Sequence, residues 1–180
     1  AQIGYITLGI AIANNTGLTG SMVHIFNHAL MKSSLFMIFG SIAFQLGKDQ
    51  LHLTDLSGLG KKMPFLMGAM TIAGMSLLGV PGTVGFVTKW YLIQGAMQNG
   101  WWWLVGLILI SSLMVLIYIG KIIETVYFKE QDKKNKDLNK IPRSTFVVTL
   151  ISVSLCVYFG FDTSFTLDLA QEAVNSLVSK

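Results

Sequence analysis

A predominantly apolar run over residues 21–44 carries three ionisable side chains at intervals of four residues. The run is long enough to cross a bilayer, which takes about 20 apolar residues in a helix. On such a helix His24, His28 and Lys32 share one face, because residues four apart are neighbours. A lysine near a bilayer centre costs about 3 kcal/mol on insertion scales. The three side chains therefore indicate a functional site inside a membrane segment.

The composition of the chain is that of a membrane protein. Apolar residues make up 52% of the sequence and charged residues only 12%, whereas a soluble domain carries about 25% charged residues. Nearly half of the 13 basic residues lie within 129–143, where acidic residues are interleaved with them and no aromatic side chain is available to stack on a base. The net charge of +4 thus indicates a solvated loop and not a nucleic-acid partner.

The succession of apolar runs predicts an all-α polytopic transmembrane fold with about five membrane segments. A polar, moderately amphipathic tail at 162–180 favours a surface helix. Because the chain begins inside an apolar run without a methionine or a signal peptide, we expect a C-terminal part of a longer protein. The predicted segments are 4–13, 21–44, 64–97, 101–128 and 144–161.

The charges of the connecting loops predict an orientation in the membrane. The connections at 45–63 and 129–143 are basic, and those between the other segments are uncharged. If each segment crosses once, the positive-inside rule places both basic loops in the cytoplasm and the C-terminus outside. Three consecutive tryptophans at 101–103 fit an aromatic belt at the outer interface. The expected location is an inner membrane of prokaryotic type.

The third segment is too long for one straight crossing. Residues 64–97 would span roughly 51 Å as a continuous helix, against about 30 Å of hydrocarbon. Its middle reads GVPGTVG at 79–85, which predicts a discontinuous helix, a feature that often marks ion pathways in transporters. A hairpin of two crossings disagrees with the loop charges, and a simple proline kink stays open as an alternative. The predicted break residues are Gly79, Pro81, Gly82 and Gly85.

Lys32 and Lys89 are the two lysines that lie deep in the predicted membrane segments, and no acidic residue lies in the middle of any of them. A buried lysine without a carboxylate partner exchanges its proton more readily than an exposed one, and histidine titrates near neutral pH. We therefore predict a proton relay through Lys32, His28, His24 and Lys89.

Other interpretations of these residues remain open. The two histidines could form hydrogen bonds between helices, and Lys32 could be structural. Zinc is disfavoured because HIFNH lacks the glutamate of the HExxH motif and no third ligand is evident, so no metal or cofactor site is predicted. Near the inner end of the fourth segment, Lys121 and Glu124 could pair or reach the interface.

Four stretches occur in an order that resembles the proton-translocating antiporter family: AQIGYITLGIAI, HIFNHALMKSSLFMIFGSI, LTDLSGLGKKMPF and GVPGTVGFVTKW. That family includes subunits of Mrp-type cation/proton antiporters, of respiratory complex I and of membrane-bound hydrogenases. The resemblance covers about the first 130 residues. It implies a fold of about fourteen helices with two inverted repeats, each containing one broken helix. It also implies that Lys89 occupies the ionisable position of the second broken helix, and that Lys32, His28 and His24 belong to a midplane polar axis.

The resemblance implies proton translocation within a multisubunit membrane complex, with sodium or potassium as candidate counter-ions. GTVGFVTKWYLIQGAMQNGWWW is most similar to Mrp-type D subunits. The alternative is a proton-pumping subunit of NADH-quinone oxidoreductase or of a hydrogenase, and a third class is a purely structural membrane scaffold. A transporter subunit has no catalytic chemistry of its own, whereas membership of a redox-driven complex would make the chain part of an enzyme.

Overall fold

The computed structural model describes residues 2–130 and 139–178. Within these ranges the regular structure is entirely helical, which confirms the predicted all-α class. Two short 3₁₀ helices, Leu53–Leu56 and Leu59–Lys61, lie in the connection between the second and third helices. The α-helices are α1 (Gln2–Ile12), α2 (Asn15–Leu46), α3 (Pro64–Leu78), α4 (Val84–Gln98), α5 (Trp102–Phe128), α6 (Arg143–Phe161) and α7 (Ser164–Val178).

Helix α2 is the central element, and α1, α3, α4, α6 and α7 all pack against it. It begins at Asn15, earlier than the predicted start at residue 21. The side-chain oxygen of Asn14 accepts a hydrogen bond of 2.7 Å from the Gly17 amide, which caps the helix and leaves only a short turn after α1. By length and hydropathy, α2, α5 and α6 are each able to cross a membrane.

Helices α3 and α4 follow one another along α2 and do not double back. The start of α3 packs near the C-terminal end of α2, where Leu66 joins a buried cluster with Ile42. The end of α4 lies at the other end of α2, where the Asn14 amide donates to the Gly95 carbonyl at 2.8 Å. The two halves therefore share the length of one crossing, with an interruption between Leu78 and Val84.

Left-handed glycines form the interruption. Gly79 has φ +88° and Gly82 has φ +84°, a region that other residues adopt only with strain. Gly85, which the sequence places in the break, instead lies in the first turn of α4. A Cβ at Gly85 would lie 1.8 Å from the Ser76 carbonyl oxygen, so this glycine permits close approach of the two half-helices.

The tail after residue 161 also forms a helix, and that helix is packed against the bundle. Ala170 of α7 is buried in a cluster with Val23 of α2. The end of α6 touches the interruption between α3 and α4, because a Cβ at Gly160 would lie 2.4 Å from the Thr83 Cα. Helices α6 and α7 thus run along α2 in succession, one on each side of this contact.

An ion pair organises the connection between α2 and α3. The Lys48 Nζ lies 2.5 Å from an Asp55 carboxylate oxygen, and the His52 amide donates to the other oxygen at 2.8 Å. These interactions, the Lys48 contact foremost, hold the pKa of Asp55 below its usual range. In the second basic loop, predicted at 129–143, residues 131–138 lie outside the described part of the chain.

Candidate functional site

The predicted row of ionisable residues lies on one side of α2. The imidazole rings of His24 and His28 are stacked, with centroids 5.7 Å apart and planes 14° from parallel. His24 is buried, with 2% of its surface exposed. Lys32 lies one turn after His28 and is exposed, and its Nζ lies 5.2 Å from the centroid of the Phe36 ring. The row therefore runs from an exposed cation into the interior of the bundle.

The ring nitrogens of the two histidines have few hydrogen-bond partners. Both ring nitrogens of His24 and the Nδ1 of His28 are buried without a hydrogen bond of ordinary geometry among the described residues. The ring of His24 also interacts with the backbone of Gln2. Buried polar atoms of this kind are normally satisfied by a side chain or by ordered water. Both imidazoles are thus available for exchangeable hydrogen bonds, while no cluster of three or more metal-ligating side chains occurs in the described ranges.

Lys89 is buried on α4, and oxygen atoms surround its ammonium group. Its Nζ donates to the Leu78 carbonyl at 2.5 Å, to the Ser112 hydroxyl at 2.8 Å and, more weakly, to the Leu77 carbonyl at 3.5 Å. The two carbonyls are at the C-terminal end of α3, where the helix dipole favours a cation. The interruption after Leu78 therefore creates a site for a positive charge that a continuous helix would lack.

Tyr5 of α1 connects the histidines to Lys89. Its ring meets the His24 ring edge-on, with centroids 5.4 Å apart. The Lys89 Nζ lies 5.8 Å from the centroid of the same ring, within the range of a cation–π contact. The Tyr5 hydroxyl is hydrogen-bonded to Ser111 of α5. We refer to Lys32, His28, His24, Tyr5 and Lys89 as the polar row.

Sequence reasoning missed Tyr5 and the serines of α5. The signal in the sequence was weak, since Tyr5 sits in the apolar run GYITLGI and Ser111–Ser112 form a polar pair within a long apolar segment. Two adjacent hydroxyl residues at membrane depth would have been a reason to look for a buried partner. Which partner each serine binds depends on the packing of α1, α4 and α5, which spacing alone does not specify.

An amide on α2 fixes the position of the row relative to α4. The side chain of Asn27 donates to the Val84 carbonyl at 2.8 Å and to the Thr88 hydroxyl at 3.1 Å. Val84 is the first residue of α4, so its carbonyl lies beside the interruption. Because Asn27 is adjacent to His28 in sequence and Thr88 is adjacent to Lys89, these bonds fix the distance between the two parts of the row.

At the exposed end of the row, Lys32 faces a recess of about 290 Å³ between α2, α3 and α5. Tyr118 of α5 also lines it, and the other lining side chains are apolar. Further along α5, Lys121 and Glu124 are exposed and form no ion pair with each other. The predicted pairing of these two side chains is therefore not formed, and their reaching the interface stays a prediction.

Residues 1–115 match the family model described as NADH:quinone oxidoreductase/Mrp antiporter, transmembrane. The chain belongs to this family. It is 41% identical over 129 residues to NADH-quinone oxidoreductase subunit N of Desulforudis audaxviator, which covers 72% of this chain and 25% of the relative. It is 31% identical over 172 residues to a putative antiporter subunit, mnhD2, of Staphylococcus aureus, which covers 96% of this chain and 34% of the relative.

The fold is also found in a solved structure of a respiratory complex. A chain of respiratory complex I from Thermus thermophilus superposes with a TM-score of 0.81 and 20% sequence identity, covering 98% of this chain and 37% of that chain. This chain is therefore an integral, multi-pass membrane protein of the NADH:quinone oxidoreductase/Mrp antiporter family. It spans between 25% and 37% of the length of these relatives.

Proposed function

We propose that this chain is part of a proton-translocating subunit of a multisubunit membrane complex, and that the polar row carries the protons. The observation that carries the proposal is the arrangement of Lys89, whose ammonium is held by the C-terminal carbonyls of α3 and faces Tyr5 beside His24. A proton on the Lys89 ammonium is close to His24, the next titratable side chain of the row, and is not exposed to lipid.

Transfer along the row requires short steps between groups that can both accept and donate a proton, which here are Lys32, His28, His24 and Lys89; the Tyr5 ring holds the last two side chains together and carries no proton. Lys32 and His28 lie one helical turn apart, as do His28 and His24. No hydrogen bond joins the two imidazoles in the described structure, so a bridging water would complete that step. Since the buried ring nitrogens of His24 lack ordinary partners, a water between the rings would find acceptors and donors on both sides.

Orientation and ion selectivity belong to the same proposal. The loops at 45–63 and 129–143 are placed in the cytoplasm, because they carry the basic residues that favour that side, and the C-terminus is placed outside. Protons are the transported species, with sodium or potassium as the candidate ions exchanged against them. Within the described residues the row offers cations and imidazoles, a set better suited to protons than to binding a metal ion.

The test of the proposal is replacement of Lys32 by methionine in the full-length protein. We expect proton flux into reconstituted vesicles to fall by about 100-fold, a typical effect of removing a group that transfers a proton. Lys121→Met is the matched control, because Lys121 is an exposed lysine on α5 outside the polar row. Equal flux in Lys32→Met and the wild type, at equal protein levels, would reject the relay and favour a structural scaffold.

Tyr5 provides a second test, since its ring and its hydroxyl make separable contacts. Tyr5→Phe keeps the ring beside His24 and Lys89 and loses the bond to Ser111, so we expect flux to change by less than about threefold. Tyr5→Leu removes the ring and should lower flux about tenfold, because a desolvated cation–π contact contributes about 1 to 2 kcal/mol. Ser111→Ala should behave like Tyr5→Phe. Equal flux in the leucine and phenylalanine variants would show that the ring has no part in transfer.

A redox-linked pump is the second candidate, and it is supported by the 41% identity to NADH-quinone oxidoreductase subunit N. The 31% identity over nearly the whole chain to a putative antiporter subunit supports the Mrp-type alternative. Purification of the native complex distinguishes the two. Co-purifying flavin and iron–sulfur subunits would assign a redox complex, and small hydrophobic antiporter subunits without them would assign a cation/proton antiporter.

A further inference from the structure

Away from the polar row, a recess opens where α3 and α6 begin. Its volume is about 390 Å³, and Lys62, Lys140 and Arg143 are among its lining residues. The recess has an apolar floor that includes Phe65 and Phe146. We call this space the basic recess. The positive charge of this opening, to which Lys140 and Arg143 contribute, favours an anion.

The position of the basic recess is fixed by the fold. The Asn139 amide donates to the Gln45 carbonyl at 2.9 Å, and its side chain donates to the Phe44 carbonyl at 3.2 Å. These bonds hold the residue before Lys140 against the end of α2. Pro64 and Arg143 are the first residues of α3 and α6, so both helix N-termini face the recess and add positive potential.

The basic recess continues into an apolar trough between α3 and α6. The trough has a volume of about 490 Å³ and shares Pro64 and Phe65 with the recess. It passes Gly68 and Ile72 on one side and Leu150 and Val157 on the other. Phe65 stands at the junction with 73% of its surface exposed. A basic recess that continues into an apolar trough matches a molecule with an anionic head group and a hydrocarbon chain.

We propose that this groove binds an anionic phospholipid, with the phosphate in the basic recess and one acyl chain in the trough. The charge of the opening selects the head group, because lysine and arginine next to a membrane attract anionic lipids. The trough contributes shape and not a hydrophobic driving force, since lipid tails are equally apolar in the bilayer. Selectivity between lipids should therefore depend on Lys140 and Arg143, whereas occupancy should depend on the width of the trough. The site does not involve the polar row and does not depend on proton translocation.

The experiment compares lipid binding by variants of the purified full-length protein, with the subunits that co-purify. The protein is delipidated in detergent, titrated with dioleoylphosphatidylglycerol or dioleoylphosphatidylcholine, and examined by native mass spectrometry. We expect phosphatidylglycerol to bind more tightly to the wild type. In the double variant Lys140→Gln/Arg143→Gln its affinity should fall about 25-fold, because each basic residue near an anionic lipid surface contributes roughly a fivefold preference.

A matched double variant, Lys121→Gln/Lys129→Gln, removes two cations near the end of α5 outside the groove. Its affinity for phosphatidylglycerol should stay within about twofold of the wild type. Equal losses in the two double variants would overturn the proposal in favour of a general charge effect. Equal binding of phosphatidylcholine and phosphatidylglycerol by the wild type would also overturn it.

A third variant tests the trough independently of charge. Gly68 lines the trough, and a Cβ at this position meets no atom within 4 Å, so the larger side chain of Gly68→Phe should narrow the trough. Gly120→Phe is the control, because a Cβ at that position on α5 is equally unobstructed. Lipid occupancy should fall in the first variant and not in the second. Millimolar inorganic phosphate should not displace the lipid; complete displacement would show a phosphate site in place of a lipid site.

Discussion

Replacing Lys89 with methionine is expected to lower proton flux by the full-length protein about 1,000-fold. Proton-transfer groups typically contribute 10² to 10⁴ in rate, and Lys89 should be in the upper part of that range because it is enclosed. Only 9% of its surface is exposed, so bulk water cannot take its place. The Lys89 side chain packs tightly against Gly79, since a Cβ added to Gly79 would lie 2.9 Å from the Lys89 Cδ. Methionine keeps an apolar stem in the same space. The measurement is proton uptake by vesicles containing equal amounts of folded protein.

The Lys89 prediction needs a variant that preserves the lysine, since loss of a buried cation also leaves the Leu78 carbonyl unpaired. Ser112→Ala removes one of the oxygen atoms around the ammonium and leaves the two carbonyls of α3 in place. Flux should fall severalfold in this variant, with little change in unfolding temperature. Undiminished flux in Lys89→Met, measured on folded protein, would contradict the role of Lys89 in the polar row.

The second large effect is expected from Gly85→Ala. The added methyl group would lie 1.8 Å from the Ser76 carbonyl oxygen, a contact that only backbone movement can relieve. We expect a loss of about 3 kcal/mol in the free energy of unfolding, at the upper end of the usual cost of overpacking. Separation of α3 from α4 should also weaken the contact between Lys89 and the Leu78 carbonyl, so flux should fall as well.

Gly68→Ala is the matched control for Gly85→Ala. Both glycines are helical, but a Cβ at Gly68 has no neighbour within 4 Å. The control should raise stability by about 1 kcal/mol, because alanine is a better helix former than glycine. Thermal unfolding of the two purified variants in the same detergent gives the comparison. A similar unfolding temperature for both would mean that the close approach of α3 and α4 does not constrain the fold.

The sequence was sufficient to predict the structural features that depend only on residues close together in the chain. Spacing by four placed His24, His28 and Lys32 on one side of a helix, and the structure has that arrangement. The length of the third apolar run and its glycines predicted an interruption near residue 80, and the described helices are interrupted there. These features depend on helix periodicity and on backbone preferences, both of which can be read from neighbouring residues.

Features that depend on packing were not predictable in this way. Gly85 resembles a helix breaker in the sequence, but its surroundings show that it provides room for Ser76. The tail after Phe161 has an amphipathic pattern that predicts a helix with one apolar face, but the pattern does not indicate that this face packs along α2. Tyr5 is one of several aromatic residues in apolar runs, and only the arrangement of α1 between α2 and α5 places it beside Lys89.

The bonds from Asn27 to Val84 and Thr88 tie the middle of α2 to the start of α4. The contact that joins the side chains of His24 and Lys89 is made by a residue of a third helix, Tyr5, which is carried by α1 and bonded to α5. Loss of that ring would therefore separate the two parts of the row while the bonds between α2 and α4 stay in place, which is why the lower flux expected of Tyr5→Leu need not be accompanied by a change of the backbone.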